Sequence, residues 1–135
     1  MFVFDTTGDP FLWMRLTGAV TQQDEEYYLQ ALALLGERSA PFGLISVIDI
    51  NSGEVSPETR RAQALWFKRN RDHLARLCFG LVRVRPKIDP NQNDDNFVRA
   101  MPFPTQRIPQ EDQAIPILVN CLEAHEQSSK QAEIS

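Results

Sequence analysis

Apolar and polar residues alternate early in the chain. Leu12, Met14 and Leu16 occupy one side of a period of two, and Trp13, Arg15 and Thr17 the other. That pattern predicts a strand over Phe11–Gly18 with one apolar face. Residues 2–7 read as a first strand. Gly8, Asp9 and Pro10 between the two are turn residues, so the chain is expected to open with an antiparallel hairpin. The period then changes. Tyr28, Ala31, Leu32 and Leu35 recur at helical spacing after Thr21, a favourable N-cap with Asp24 three residues on. Gly36, Ser39 and Pro41 mark the end of that helix.

Leu44, Ile45, Val47, Ile48 and Ile50 form an almost continuous apolar run in Phe42–Ile50. Such a run suits a central strand covered on both faces. Ser56 followed by Pro57 and Glu58 is a helix start, since serine caps well and proline at the first helical position has no amide to lose. This helix is expected to reach Leu77. Residues 79–85 predict a further strand, 89–96 a polar loop, 97–101 a short helix and Thr105–Ile108 an edge strand. A last helix is expected over 110–126, with Ile115, Leu118, Val119 and Leu122 inward and Pro116 in its second turn. Strands alternating with helices imply crossovers and a partly parallel sheet. The predicted fold is therefore α/β: a central mixed sheet of four to five strands wrapped by about four helices. It forms one domain over 1–126, with a polar tail over 127–135.

This order of elements resembles that of the SpoIIAA-like proteins, relatives of the STAS domains. The residues that carry the resemblance lie in four places: Leu16-Thr17-Gly18; Val20-Thr21-Gln22-Gln23-Asp24; Val47-Ile48-Asp49-Ile50 leading to Ser56; and Phe79-Gly80-Leu81-Val82-Arg83-Val84. It covers about residues 10–122. It implies a non-enzymatic regulatory or protein-interaction role, with the partner bound through the loop after the third strand and the helix that follows. In the antagonist members an Asp-Ser-Ser-Gly motif in that loop carries a phosphorylated serine. Here the loop reads Asn51-Ser52-Gly53-Glu54-Val55-Ser56-Pro57, which departs from that motif. Ser52 and Ser56 match the acceptor only by rough position, and Ser56 already has work as a cap. The fold also resembles that of Sec14-type lipid carriers, which adds a small apolar ligand as the alternative, and self-association is compatible with either reading.

Charge sharpens where a partner would sit. Residues 57–87 hold nine of the 14 basic residues and two acids. They carry a net +7, which leaves −11 on the rest of a chain whose total is −4. Arg60, Arg61, Lys68 and Arg71 can share one outward half of the second helix, a fit for an acidic or phosphorylated surface. Leu65, Trp66 and Phe67 in succession span about 200° of that helix, more than one buried stripe usually covers. Either the helix is deeply sandwiched or one aromatic is displayed. The candidate partner-binding set is therefore Asn51, Ser52, Ser56, Arg60, Arg61, Trp66, Phe67, Lys68 and Arg71.

Other chemistry finds little footing. His73, Cys78, Cys121 and His125 are the only histidines and cysteines, and their spacing matches no common zinc site. No phosphate loop, dinucleotide fingerprint or His-Glu-x-x-His motif occurs, so neither a catalytic set nor a cofactor is expected. Ser56, His73 and Asp49 make a triad only on paper. The acidic total and the lack of a binding motif disfavour nucleic acid. No apolar run approaches the ~18 residues of a membrane span. The acid at position 5 and the absence of a basic start are unlike a secretory signal. Two cysteines outside any spaced framework suit reduced thiols and a cytoplasmic setting.

Overall fold

The computed structural model describes residues 1–50, 55–86 and 99–134. β1 (Phe2–Asp5) and β2 (Phe11–Gly18) pair antiparallel as the expected hairpin. β1 stops at Asp5 because its carboxylate turns back on the chain. It accepts from the Thr7 amide at 2.9 Å and the Thr7 hydroxyl at 2.7 Å, an Asx turn in place of ladder bonds. Asp9 at the hairpin tip accepts two bonds from the Arg38 guanidinium, at 2.9 and 3.0 Å. Those bonds hold the Asp9 carboxyl below its ordinary value and tie the tip to the chain after α1 (Gln22–Gly36). α1 opens with a reciprocal cap: Thr21 Oγ1 accepts from the Asp24 amide at 3.1 Å, and Asp24 Oδ2 accepts from the Thr21 amide at 3.0 Å.

The remaining elements are β3 (Phe42–Ile50), α2 (Pro57–Arg69), α3 (Arg71–Leu77), β4 (Cys78–Val84), β5 (Thr105–Ile108), a 3-10 turn at Glu111–Gln113 and α4 (Ala114–Ile134). The five strands lie in sequence order, with β2, β3, β4 and β5 mutually parallel. The fold is the expected one: α/β, a mixed five-stranded sheet with four helices, opened by a hairpin. The crossovers between sequential parallel strands put α1 and α3 on one face. On that face Leu12, Met14, Leu44 and Leu81 pack with Tyr28, Leu32 and Leu35 of α1, Leu74 of α3 and Phe103. On the other face Ile45, Val47, Phe79, Val82 and Val84 pack with Ala114 and Leu118 of α4. β3 is thus covered on both sides, as its unbroken apolar run requires.

Several details differ from the sequence expectation. The helix expected over 57–77 breaks at Asn70, whose φ of −104° and ψ of 13° leave the helical region. Its side-chain Nδ2 donates to the Trp66 carbonyl at 2.9 Å, and its own amide donates to the same oxygen at 3.0 Å. Asparagine competes with the helical ladder in this way, so one helix becomes two. Of the four residues expected inward, Leu118 is buried and Ile115 and Leu122 pack partly against the same cluster, but Val119 is exposed, and Ala114 is buried with them. The helix starts at Ala114, which puts Pro116 in the first turn, where a missing amide costs nothing. It also continues to Ile134, past the expected end at Glu126, through residues with no glycine or proline to stop it. The predicted loop over 89–96 and the first two residues of the predicted short helix over 97–101 lie outside the described residues. Arg99 and Ala100 are helical.

Candidate functional site

α2 begins as its sequence directs. Ser56 Oγ accepts from the Thr59 amide at 3.2 Å and donates to Thr59 Oγ1 at 3.1 Å. The Ser56 amide donates to Glu25 Oε1 at 2.6 Å, which fixes the start of α2 against α1. The hydroxyl is therefore committed to the cap, and Glu25, Glu26 and Glu58 line the same recess. A phosphate on Ser56 would meet the helix dipole favourably but would stand among carboxylates. Ser56→Ala is expected to cost about 1 kcal/mol, with Ser56→Asn closer to wild type than Ser56→Asp because of those acids. Urea unfolding of the three variants checks the order. Asn51 and Ser52 lie outside the described residues.

The four cations selected from sequence all reach solvent: Arg60, Arg61, Lys68 and Arg71 are exposed. At about 100° per residue, the three on α2 fall within roughly 100° of arc. Arg71, just past the break, donates from Nη1 to the Ala100 carbonyl, which ties the start of α3 to the chain leading into β5. Trp66 and Phe67 are both half-buried against the core, edge to face with ring centroids 5.0 Å apart. Of the two alternatives the sequence left open, packing against the core describes both aromatics. The exposed member of the trio is Leu65, with 45% of its surface accessible.

Phe67 forms one wall of a groove of about 410 Å³ between α2 and residues 100–102. Ala64, Phe67, Met101 and Pro102 supply apolar surface, and Lys68 and Arg71 supply two cations. Phe67, Lys68 and Arg71 were legible in the sequence as candidates. Ala64 was not, although Ala64, Lys68 and Arg71 follow one another at helical intervals of four and three. Met101 and Pro102 come from a different part of the chain and carried no local signal.

Beneath α2 the sheet adds more positive charge. Arg83 and Arg85 alternate with Val84 at the C-terminal end of β4, so their side chains share the face that α2 covers. Arg85 is buried and donates to the Ser46 carbonyl at 2.6 Å and the Val84 carbonyl at 2.9 Å. Tyr28 donates to Gln63 Oε1 at 2.6 Å, joining α1 to α2 above these arginines. Burial pushes the Tyr28 hydroxyl up to about 12, with Arg85 and then Arg83 pulling it back. The phenol therefore stays protonated and serves as a strut.

The remaining candidates have structural neighbours. His73 Nε2 lies 3.3 Å from the Leu35 carbonyl, which links α3 to α1, and it does not meet the Ser56 hydroxyl that a triad needs. Cys78 is buried, donates to the Gly80 carbonyl at 3.4 Å, and is pushed up to about 12 by that burial, far from a reactive thiolate. Among the described residues no three histidine, cysteine, aspartate or glutamate side chains gather as a metal site. No described helix is long and apolar enough to cross a membrane. Comparison with protein-family models, with curated proteins and with solved structures gave no match in any of the three.

Proposed function

We propose that this chain is a non-enzymatic, STAS-like interaction domain that works in the cytoplasm. Its groove between α2 and residues 100–102 captures an acidic segment of a partner protein. The observation that carries this reading is the pairing of apolar walls at Ala64, Phe67, Met101 and Pro102 with two cations, Lys68 and Arg71. Apolar side chains of the partner would fill the groove while its carboxylates meet the rim. Arg60 and Arg61 extend the positive field along the helix and speed encounter. The non-enzymatic part is supported by the engagement of Ser56, His73 and Cys78 in caps, struts and core.

A second reading has one observation in its favour. A groove of about 410 Å³ falls within the ~300–1,000 Å³ typical of small-molecule sites, and one small apolar anion would satisfy the same walls and cations. Native mass spectrometry of the freshly purified chain separates the two. Protein docking predicts the bare chain mass. A co-purified adduct lost on Met101→Glu would move the assignment to a ligand carrier.

A further inference from the structure

α2 carries a second surface, on the flank away from the docking groove. Glu58, Ala62, Leu65 and Arg69 follow one another at intervals of four, three and four residues. At about 100° per residue they fall within roughly 60° of arc. This flank turns toward α1. Ala62, Leu65 and Arg69 share a groove of about 240 Å³ with Leu29 and Leu32 of α1, and Glu58 shares the next recess with Glu25 and Glu26. Leu65 is the one large apolar side chain of α2 left exposed, although Trp66 and Phe67 beside it turn inward.

The spacing reads the same from either end, but the chemistry inverts. An acid stands at the N-terminal end and a base at the C-terminal end, with a small and then a large apolar residue between. A twofold axis passing between Ala62 and Leu65 would set Glu58 against Arg69 of a second copy and Ala62 against Leu65 of that copy, each contact occurring twice. The two ion-pair positions lie about 16 Å apart along the helix, the same span on both copies. Glu25 and Glu26 add negative charge at the end that receives Arg69. A large residue against a small one lets two antiparallel helices approach closely. We propose that a second copy of this chain docks here, α2 against antiparallel α2, over the α1–α2 groove. The contact is small, so the dimer is weak and depends on concentration.

Sedimentation velocity from about 1 to about 500 μM tests it. The wild-type chain should pass from monomer to dimer across that range. Leu65→Glu, at an exposed helical position where the fold tolerates it, should stay monomeric with an unchanged circular dichroism spectrum. Glu58→Arg and Arg69→Glu should each weaken the dimer about tenfold or more, because both ends then pair like charges. Mixing those two variants should restore association, since every facing pair becomes Arg with Glu. A wild-type monomer throughout, or a dimer indifferent to Leu65→Glu, overturns the proposal. So does insensitivity to the single charge changes, or a mixture that fails to associate.

Discussion

Phe79→Ala should destabilise the domain by about 3–5 kcal/mol, a large share of the ~5–15 kcal/mol that holds a domain of this size together. Phe79 is 2% exposed and lies where β3, β4 and α4 meet. Its ring packs edge-on to Phe11 with centroids 6.0 Å apart and rests directly over Gly43. Truncation removes the transfer free energy of a benzyl group and leaves a void that two strands and a helix cannot close. The glycine makes the claim specific. A Cβ on Gly43 would overlap the Phe79 ring and press on Leu118, so Gly43→Ala should cost about 1–3 kcal/mol in the wild-type chain. In the Phe79→Ala background the ring overlap is gone and Leu118, the remaining neighbour, can yield into the void, so the same methyl should cost little or even stabilise. Urea denaturation of the four proteins measures the coupling. Simple additivity of the two costs would mean that the ring does not sit over Gly43.

Reversing the charges Arg60→Glu, Arg61→Glu, Lys68→Glu and Arg71→Glu should abolish partner capture and leave the fold in place. The four residues are exposed, and the change takes the segment over 57–87 from +7 to −1. The structural cost includes weaker support of the α2 C-terminus by Lys68, about 0.3–1 kcal/mol, and loss of the Arg71 bond to Ala100. Affinity should fall by about a hundredfold or more, chiefly through slower association, and wild-type binding should itself weaken as salt is raised. Affinity capture followed by protein identification reads this. A quadruple variant that retains the wild-type set of captured proteins, with a normal melting curve, would remove the cationic face from the account.

The elements of the fold were legible because each carries its own period. β3 is an unbroken apolar run, β2 a strict alternation, and α1 a stripe opened by a capping pair. Boundaries failed where a single side chain decides them. Asn70 sits among good helix formers, and nothing local shows that its amide will fold back on Trp66. Asp5 ends β1 through a local bond of the opposite sense, its carboxylate accepting from Thr7. The site was half legible. Basic residues concentrated on one helix are visible in any reading, so Lys68 and Arg71 were found, but which residue of Leu65, Trp66 and Phe67 faces water depends on where α1 lies. The far wall of the groove, Met101 and Pro102, is assembled by tertiary structure alone, and a local pattern holds no trace of it.

A photo-crosslinking residue placed at Ala64 gives the most direct test of the groove as a docking site. Ala64 is an exposed position that lines the groove on α2, and Ala75 on α3, also exposed but outside the groove, serves as the control. Illumination in cell extract should give one discrete adduct from position 64, with a protein whose crosslinked segment is acidic, and none from position 75. The adduct should disappear with the quadruple charge reversal. No adduct from position 64, or the same adduct from both positions, would contradict the assignment of this groove as the working surface.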